Sequence, residues 1–493
     1  MDANLPRRKM FETGAHTCCC AIVPQSLRRE DEESSIDCGE TLKRYNMVFK
    51  SFFLPLLGPF ANALDLDTNN ADSIRSVAKT IASGVFSAYN NGESIIVADR
   101  GRIDNGEDED AYKRMAIAWN TFIDYGHLTG DSQFAKNASV ALVSQGGPEN
   151  NFLPPSFNKP GNESTSLWAL AALSAEEANI EKGAVTPKWI EYSKNIFNTK
   201  AKQWDSPWAT CGGGLSRYNN DDGTNKDTVS SGGFFVLAAR LALITGEKKY
   251  ADFADKIYKW SEDQKLVSSE NGTVWHTAQF VDDKCVVEEN SHRSPVSQGL
   301  YAEGAALMYN YTKGGDINIW KGRVEKLVNA TDYFLLGGNL FLNLDCPNQN
   351  PGCINDFDGD RAAGIRALAR SAVYAPFLSL RIRGVLLATA FNEAKECTGE
   401  GKFLTCGKIL LGKDEEPVRK SVSQGNIHGA LSALSAVQAL LYQESMRKGT
   451  KPLNTTPESK PQDKNNASAA SEMAITWTGM ALAGLVAVFG ILA

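Results

Sequence analysis

Between residues 70 and 445 the apolar side chains recur every three to four positions, the spacing of one helix face. Following Asp72, read as a cap, Ile74, Val77, Ala78, Ile81, Ala82, Val85, Phe86 and Tyr89 fall on one side of a predicted helix. Thr186-Pro187 places a cap and a first-turn proline ahead of Trp189, Ile190, Tyr192 and Ile196. Further helices are predicted over 167–178, 234–244, 300–311, 324–336 and 431–442. Long alternating strand patterns are missing.

Two stretches repeat one plan. FIDYGHLTGDSQFAKNASVAL and LAARLALITGEKKYADFADKIY each run an apolar helix into Thr-Gly-Asp/Glu, with the next helix opening two residues later on an aromatic-Ala pair. Gly130 and Gly246 suit the left-handed position that closes a helix, and 311–316 is a looser third copy. Repeated antiparallel helix pairs without strands predict an all-α ring of hairpins, either a closed α/α toroid or an open solenoid. Six such pairs would occupy a chain of this length, and a toroid gathers its loops around a central funnel that suits a carbohydrate.

The ends read differently. Residues 473–493 are apolar and uncharged, preceded by the polar run 457–465 and the small residues Asn466-Ala467-Ser468. Small attachment site, polar spacer and apolar tail are the pattern of a GPI anchor, with attachment expected at Asn466. At the other end, Lys43, Arg44 and Lys50 flank the apolar run 52–60, and Ala61-Asn62-Ala63 supplies a cleavage site, so a secretory signal is read over 47–63. The expected organisation is a non-structural leader or mis-assigned start over 1–46, the signal over 47–63 and one domain over 64–445. A disordered stalk over 446–466 and an anchor tail over 467–493 follow. This places the protein on the secretory route, held at the outer face of the plasma membrane and the cell wall.

Composition adds exclusions. With 51 basic and 58 acidic residues the net charge is −7, and there is no basic tract, so nucleic acid is not an expected partner. The expected mature region keeps six cysteines, and an even number in an oxidising compartment reads as disulfides. Cys346 with Cys353 and Cys397 with Cys406 form short loops, which leaves Cys211 with Cys285; other connectivities stay open at this level. Sequons stand at Asn137, Asn162, Asn271, Asn310, Asn329 and Asn454. No CxxC pair and no histidine ligand spacing occur, so neither a metal nor a cofactor is expected. The Gly407–Lys413 spacing imitates a phosphate loop, but Asp414 stands where Ser or Thr would ligate magnesium. No G-x-S-x-G elbow exists. Cys211-Gly212-Gly213-Gly214 reads as a disulfide-anchored glycine turn rather than an anion nest.

Paired carboxylates remain as the route to chemistry, the equipment for cleaving glycosidic bonds. LDLD at Leu64, IDY-x-x-x-TGD at Ile123, GNE at Gly161, CGGGL at Cys211, TVS-x-G-x-FF-x-LAARLA at Thr228 and GAA-x-x-YN at Gly304 occur in that order. With these motifs, over about residues 64–445, the chain resembles the fungal α-1,6-mannanases of glycoside hydrolase family 76, whose GPI-anchored members act on cell-wall mannan. The resemblance implies an (α/α)6 barrel and, as partner, α-1,6-mannan or a mannosylated glycan. In that family two adjacent aspartates in G-N-D-D-Q-x-x-W serve as nucleophile and acid/base. Here the motif reads Gly161-Asn162-Glu163-Ser164-Thr165-Ser166-Leu167-Trp168. Glu163 keeps one carboxylate and Ser164 removes the other, while creating the sequon at Asn162, whose glycan would stand in the cleft mouth. The family's aromatic W-W-E-A-G stretch is replaced by Tyr112-Lys113-Arg114-Met115-Ala116. By resemblance Tyr112, Trp119, Asp124 and Trp168 are the candidate sugar contacts, although the helical register of Trp119 favours the core and Trp168 suits either packing or cleft lining. A second acid would have to come from elsewhere, and Asp221, Asp222 and Asp227 are candidates whose alternative is plain surface solvation. The two functional readings are an enzyme of α-1,6-mannan cleavage or transfer, and a catalytically lapsed relative that binds wall mannan or GPI glycan.

Overall fold

A computed structural model describes residues 63–442, apart from 88, 90–99, 104–105, 158–159, 182–187, 207–208, 219–223, 288–291, 314–316, 342–357, 407–419 and 422–426. Among the described residues twelve α-helices alternate between an inner and an outer layer. The inner ones are α2 (Glu109–Thr129), α4 (Asn162–Glu177), α6 (Thr228–Thr245), α8 (Pro295–Tyr311), α10 (Asp358–Tyr374) and α12 (His428–Ala439). Each packs on the next, and α12 packs back on α2, which closes the ring. The outer helices are α1 (Ala71–Phe86), α3 (Ala135–Gln145), α5 (Trp189–Trp204), α7 (Lys248–Asp263), α9 (Ile317–Ala330) and α11 (Ser379–Lys395). The ring is an (α/α)6 barrel, so the toroid is closed and the open solenoid is excluded.

Patterning explains the layers. The outer helix α7 buries Tyr250, Ala251, Ala254, Ile257, Tyr258 and Ser261 on one stripe and shows charge on the other. The inner helix α6 is apolar all round, because ring neighbours and the outer layer cover every face from Thr228 to Ala242. Length and apolarity alone would let α6 cross a membrane, yet it is core. Close packing needs small residues: a Cβ on Gly304 of α8 would stand 2.3 Å from the Phe235 ring of α6.

Helix ends follow the sequence in part. Gly130 and Gly246 close α2 and α6 at φ 79° and 70°, each donating its N–H to the carbonyl four residues back. The cap of α1 is Asn70 rather than Asp72; its side chain accepts from the Asp72 and Ser73 amides, and Asp72 lies inside the first turn. The helix expected over 324–336 stops at Ala330, followed by a tight turn over 331–334 and a two-residue strand. Thr186 and Pro187 fall outside the described residues.

Short strands decorate the ring. β1 (Asn225–Asp227), β2 (Thr277–Val281) and β3 (Lys284–Val287) form an antiparallel sheet with Asp227 opposite Thr277 and Phe280 opposite Cys285. Cys285 bonds Cys211 and Cys397 bonds Cys406, as the spacing suggested; Cys346 and Cys353 lie outside the described residues. Leu64 donates its N–H to the Cys397 carbonyl at 2.9 Å.

Candidate active site

Parallel inner helices bring six N-termini to one end of the barrel, where the partial positive charge of free amides favours carboxylates. The first turn of α4 carries Glu163, the cap of α6 is Asp227, and the first turn of α10 carries Asp360. Glu109, Asp110 and Lys113 open α2. These groups share one mouth although they are spread from residue 109 to residue 360 of the chain.

Glu163 is 1% exposed. Its Oε2 lies 3.2 Å from Lys113 Nζ, and its Oε1 lies 3.8 Å from Arg217 Nε. Lys113 also reaches Asp360 at 3.2 Å and Asp110 at 3.6 Å, and Arg217 pairs with Asp110. Burial pushes the Glu163 carboxyl up, but Lys113, Arg217 and His276 outweigh it and hold the group below its ordinary value. Glu163 is therefore ionised at neutral pH.

Asp227 was weighed as a solvated surface acid, and the structure corrects this: it is 2% exposed. Its Oδ1 accepts the Ser230 N–H at 2.6 Å, capping α6, and its Oδ2 lies 3.4 Å from His276 Nε2. Carboxylate oxygens of Glu163 and Asp227 and a ring nitrogen of His276 all lie within 4.8 Å of one another. Burial and then the charge of Glu163 raise Asp227 to about 6, against the pull of His276 and the Ser230 hydrogen bonds. Two neighbouring carboxyls thus have their affinities for a proton pushed apart, the arrangement of a nucleophile beside an acid. The sequence clue was the cap position itself: an Asp three residues before Ser230, opening a helix with no polar face, has to be buried. Asp221 and Asp222 lie outside the described residues.

His276 is placed by its backbone. Thr228 donates N–H and Oγ1 to the His276 carbonyl, both at 2.9 Å, and Thr228 Oγ1 lies 2.9 Å from Ser297 Oγ of α8. The oxygen and nitrogen donors of Glu163, Asp227 and His276 could surround one metal ion. Lys113 and Arg217 already supply positive charge at that point, which opposes a second cation.

The expected sugar platform is not built from the residues proposed for it. Tyr112, Trp119 and Trp168 are each fully buried. The Tyr112 hydroxyl donates to the Gln145 carbonyl at 3.0 Å, Trp119 Nε1 donates to the Gly101 carbonyl at 2.6 Å, and Trp168 stacks on Phe152 with ring centres 5.6 Å apart. Inner helices enclosed by two layers have no face left for a ligand at these positions. Asp124 sits three turns down α2 from Lys113, where it accepts from Arg366 Nε at 2.6 Å and from the Tyr442 hydroxyl at 2.6 Å. The aromatic rings nearer solvent at the mouth are Tyr218, Trp275 and Tyr333. The Arg293 guanidinium lies 4.6 Å from the Trp275 ring and 4.1 Å from that of Tyr333.

The sequon at Asn162 is also corrected as a glycan site. Its side chain is buried, donating from Nδ2 to the Ser216 carbonyl at 2.8 Å and accepting from Lys200 Nζ at 2.9 Å. A glycan on that nitrogen would displace the bond to Ser216, and the fully buried side chain leaves it no room. Asn310 is buried on α8, whereas Asn271 and Asn329 are exposed. Asn137 is half-buried, and Asn454 and Asn466 lie outside the described residues.

The sequence model of the family described as Glycosyl hydrolase family 76 matches residues 73–453. Mannan endo-1,6-alpha-mannosidase DCW1 of Saccharomyces cerevisiae is 30% identical over 359 residues, covering 71% of this chain and 76% of that protein. Mannan endo-1,6-alpha-mannosidase DFG5 of Candida albicans is 28% identical over 434 residues, covering 86% and 92%. Among solved structures, Dfg5 from Chaetomium thermophilum in complex with glucosamine superposes with a TM-score of 0.64 at 23% identity, covering 77% of this chain and 92% of that one. An inactive variant of the alpha-1,6-mannanase of Salegentibacter sp. HEL1_6 in complex with alpha-1,6-mannotetrose gives a TM-score of 0.56 at 17% identity, covering 75% and 99%.

Proposed function

The chain belongs to glycosyl hydrolase family 76, and from that premise we propose that it cleaves or transfers α-1,6-mannan, or a mannosylated glycan, during cell-wall assembly. The observation that carries this reading is the Glu163–Asp227 pair, whose nearest carboxylate oxygens lie within 4.8 Å. A retaining glycosidase needs its carboxyls about 5 Å apart. Glu163, ionised beside Lys113 and Arg217, attacks the anomeric carbon and forms a glycosyl ester. Asp227, protonated below about 6, gives its proton to the departing sugar oxygen. The Asp227 carboxylate then takes a proton from water or from a sugar hydroxyl, which breaks the ester by hydrolysis or by transfer. His276, at 3.4 Å, keeps the second carboxyl oriented between these steps.

The test is incubation of the secreted protein with reduced α-1,6-manno-oligosaccharides, with the anomer of the first product followed by NMR. Retention of the α configuration, and longer products when an acceptor sugar is added, are the expected results; an inverted product would overturn the mechanism. A second reading is a lapsed enzyme that binds mannan without cleaving it. It is favoured by the two cations already engaged with an almost wholly buried Glu163. Binding without turnover would select it.

The uncharged stretch 473–493 after small residues at 466–468 supports attachment through a GPI anchor at Asn466, on the outer leaflet. A phosphatidylinositol-specific lipase should release the protein from membranes. Recovery of the intact 473–493 peptide from the mature protein would overturn the anchor.

A further inference from the structure

Glu109 opens α2, yet its carboxylate serves a different helix. Oε1 accepts the Ser164 N–H at 2.8 Å, and Oε2 accepts the Ser164 hydroxyl at 2.7 Å and the Gly161 N–H at 2.5 Å. The N-cap of α4 is Gly161, which has no side chain to bind the free amides of the first turn. Glu109 binds two of them from outside. A Cβ on Gly161 would stand 2.6 Å from Glu109 Cδ and 2.4 Å from the Arg217 carbonyl oxygen, so only glycine lets the glutamate approach. From the other side Lys200 of α5, also buried, donates to the Asn162 carbonyl, Asn162 Oδ1 and Thr165 Oγ1, each at 2.9 Å. Glu163 rides on the turn held between these two clamps.

We propose that Glu109 is a positioning residue that fixes the Glu163 carboxylate opposite Asp227 by capping α4 from α2, and that an acid at 109 and an acid at 164 exclude each other. The Ser164 hydroxyl is the donor that Glu109 requires, and it points at the carboxylate from 2.7 Å. A carboxyl there would replace that donor with a second acid at hydrogen-bond distance in a buried site, where the two could not both ionise, so the pair would hold a proton between them or the turn would open. The capping geometry stands without any assumption about chemistry; the effect on turnover rests on Glu163 being the nucleophile.

The test uses the full secreted chain in five forms: unaltered, Glu109→Gln, Glu109→Ala, Ser164→Asp, and Glu109→Ala with Ser164→Asp. Per folded molecule, Glu109→Gln should lower kcat on α-1,6-mannan roughly tenfold or more with KM changed less than about twofold, because a displaced carboxylate costs the chemical step. An unchanged kcat per folded molecule would overturn the positioning role. Ser164→Asp alone should lower the melting temperature by at least about 3 °C, and the same change in the Glu109→Ala background should cost less than half as much. Equal cost in both backgrounds would overturn the exclusion. If the unaltered protein binds mannan but never cleaves it, the catalytic reading fails and the melting comparison alone decides the clamp.

Discussion

One ammonium, Lys113 Nζ, stands 3.2 Å from Oε2 of Glu163 and equally far from Oδ1 of Asp360, shared between two buried carboxyls from different helices. Burial opposes that charge, but Asp360, Glu163 and Asp110 raise the lysine well above its ordinary value, so it is protonated throughout the working range. The site is thus built around a fixed cation supplied by the chain.

Lys113→Met should release that hold. With burial less opposed, the Glu163 carboxyl rises, and the acid limb of the kcat profile moves to higher pH. At pH 5 we expect about a tenfold loss of turnover or more, partly recovered toward neutrality. An acid limb that stays in place would show that Lys113 does not set the nucleophile.

Asp227→Asn should keep the fold, since the amide oxygen can still cap α6 through the Ser230 N–H. Turnover should fall by about 10² to 10⁴, the usual worth of a general acid. The descending limb near pH 6, where the unaltered acid loses its proton, should vanish from the residual rate. Steady-state kinetics across pH 4 to 8 would check both, and a surviving limb would point to another acid.

Stability should peak at mildly acidic pH. Against burial, Arg240 and Arg370 hold Glu177 down to about 2, and Asp124 and Glu163 are lowered by their own cations. Their contributions are present above the unfolded values and lost as pH falls through the folded ones. Glu109, raised by burial and then by Glu163 to about 7, and Asp227, at about 6, keep protons that the unfolded chain would release. Their contributions are lost as pH rises through that range. Melting temperature against pH should have its maximum between about 4.5 and 6, and Glu109→Gln should flatten the neutral side.

Asp124→Ala should destabilise the barrel by about 3 kcal/mol, because it removes the carboxylate that both Arg366 Nε and Nη2 engage, leaving the buried guanidinium only Ser174 and the more distant Glu303. The change also removes the Tyr442 hydroxyl's hydrogen bond to Asp124, which ties the end of the described chain to α2. Denaturant unfolding would measure it. The kcat of whatever remains folded should be unchanged, which separates Asp124 from the sugar contacts it resembled in sequence.

Glycopeptide mapping of the secreted protein should find occupied Asn271 and Asn329 and an unmodified Asn162. The first two side chains are exposed, and the third is buried between Lys200 and Ser216. A glycan at Asn162 would contradict the packing of α4.

What the sequence made legible was local. Gly130 and Gly246 announce helix ends because only a left-handed residue closes them, and Cys397 with Cys406 lie close enough along the chain to be paired on sight. Asp227 was legible only as one of three candidate acids and Glu109 not at all, because each role is defined by a partner that only the packing of inner helices delivers: the α4 amides for Glu109, His276 and Glu163 for Asp227. Tyr112 and Trp168 misled for a related reason. Their aromatic character suits a sugar face as well as a core, and it is their position on enclosed inner helices, not their type, that decides.

Thr68, just ahead of α1, and Ala439 and Leu440, at the close of α12, line one small crevice with Arg383, Leu386 and Leu387. The C-terminal end of the described chain therefore leaves at the base of the ring, roughly 18 Å of helix behind the carboxylates. The barrel has a direction: if the proposed anchor holds the chain beyond 442, it would pull from the back and leave the mouth facing outward. On a lipid surface, such a molecule would present its chemistry to polymer arriving from outside and turn its closed base toward the bilayer.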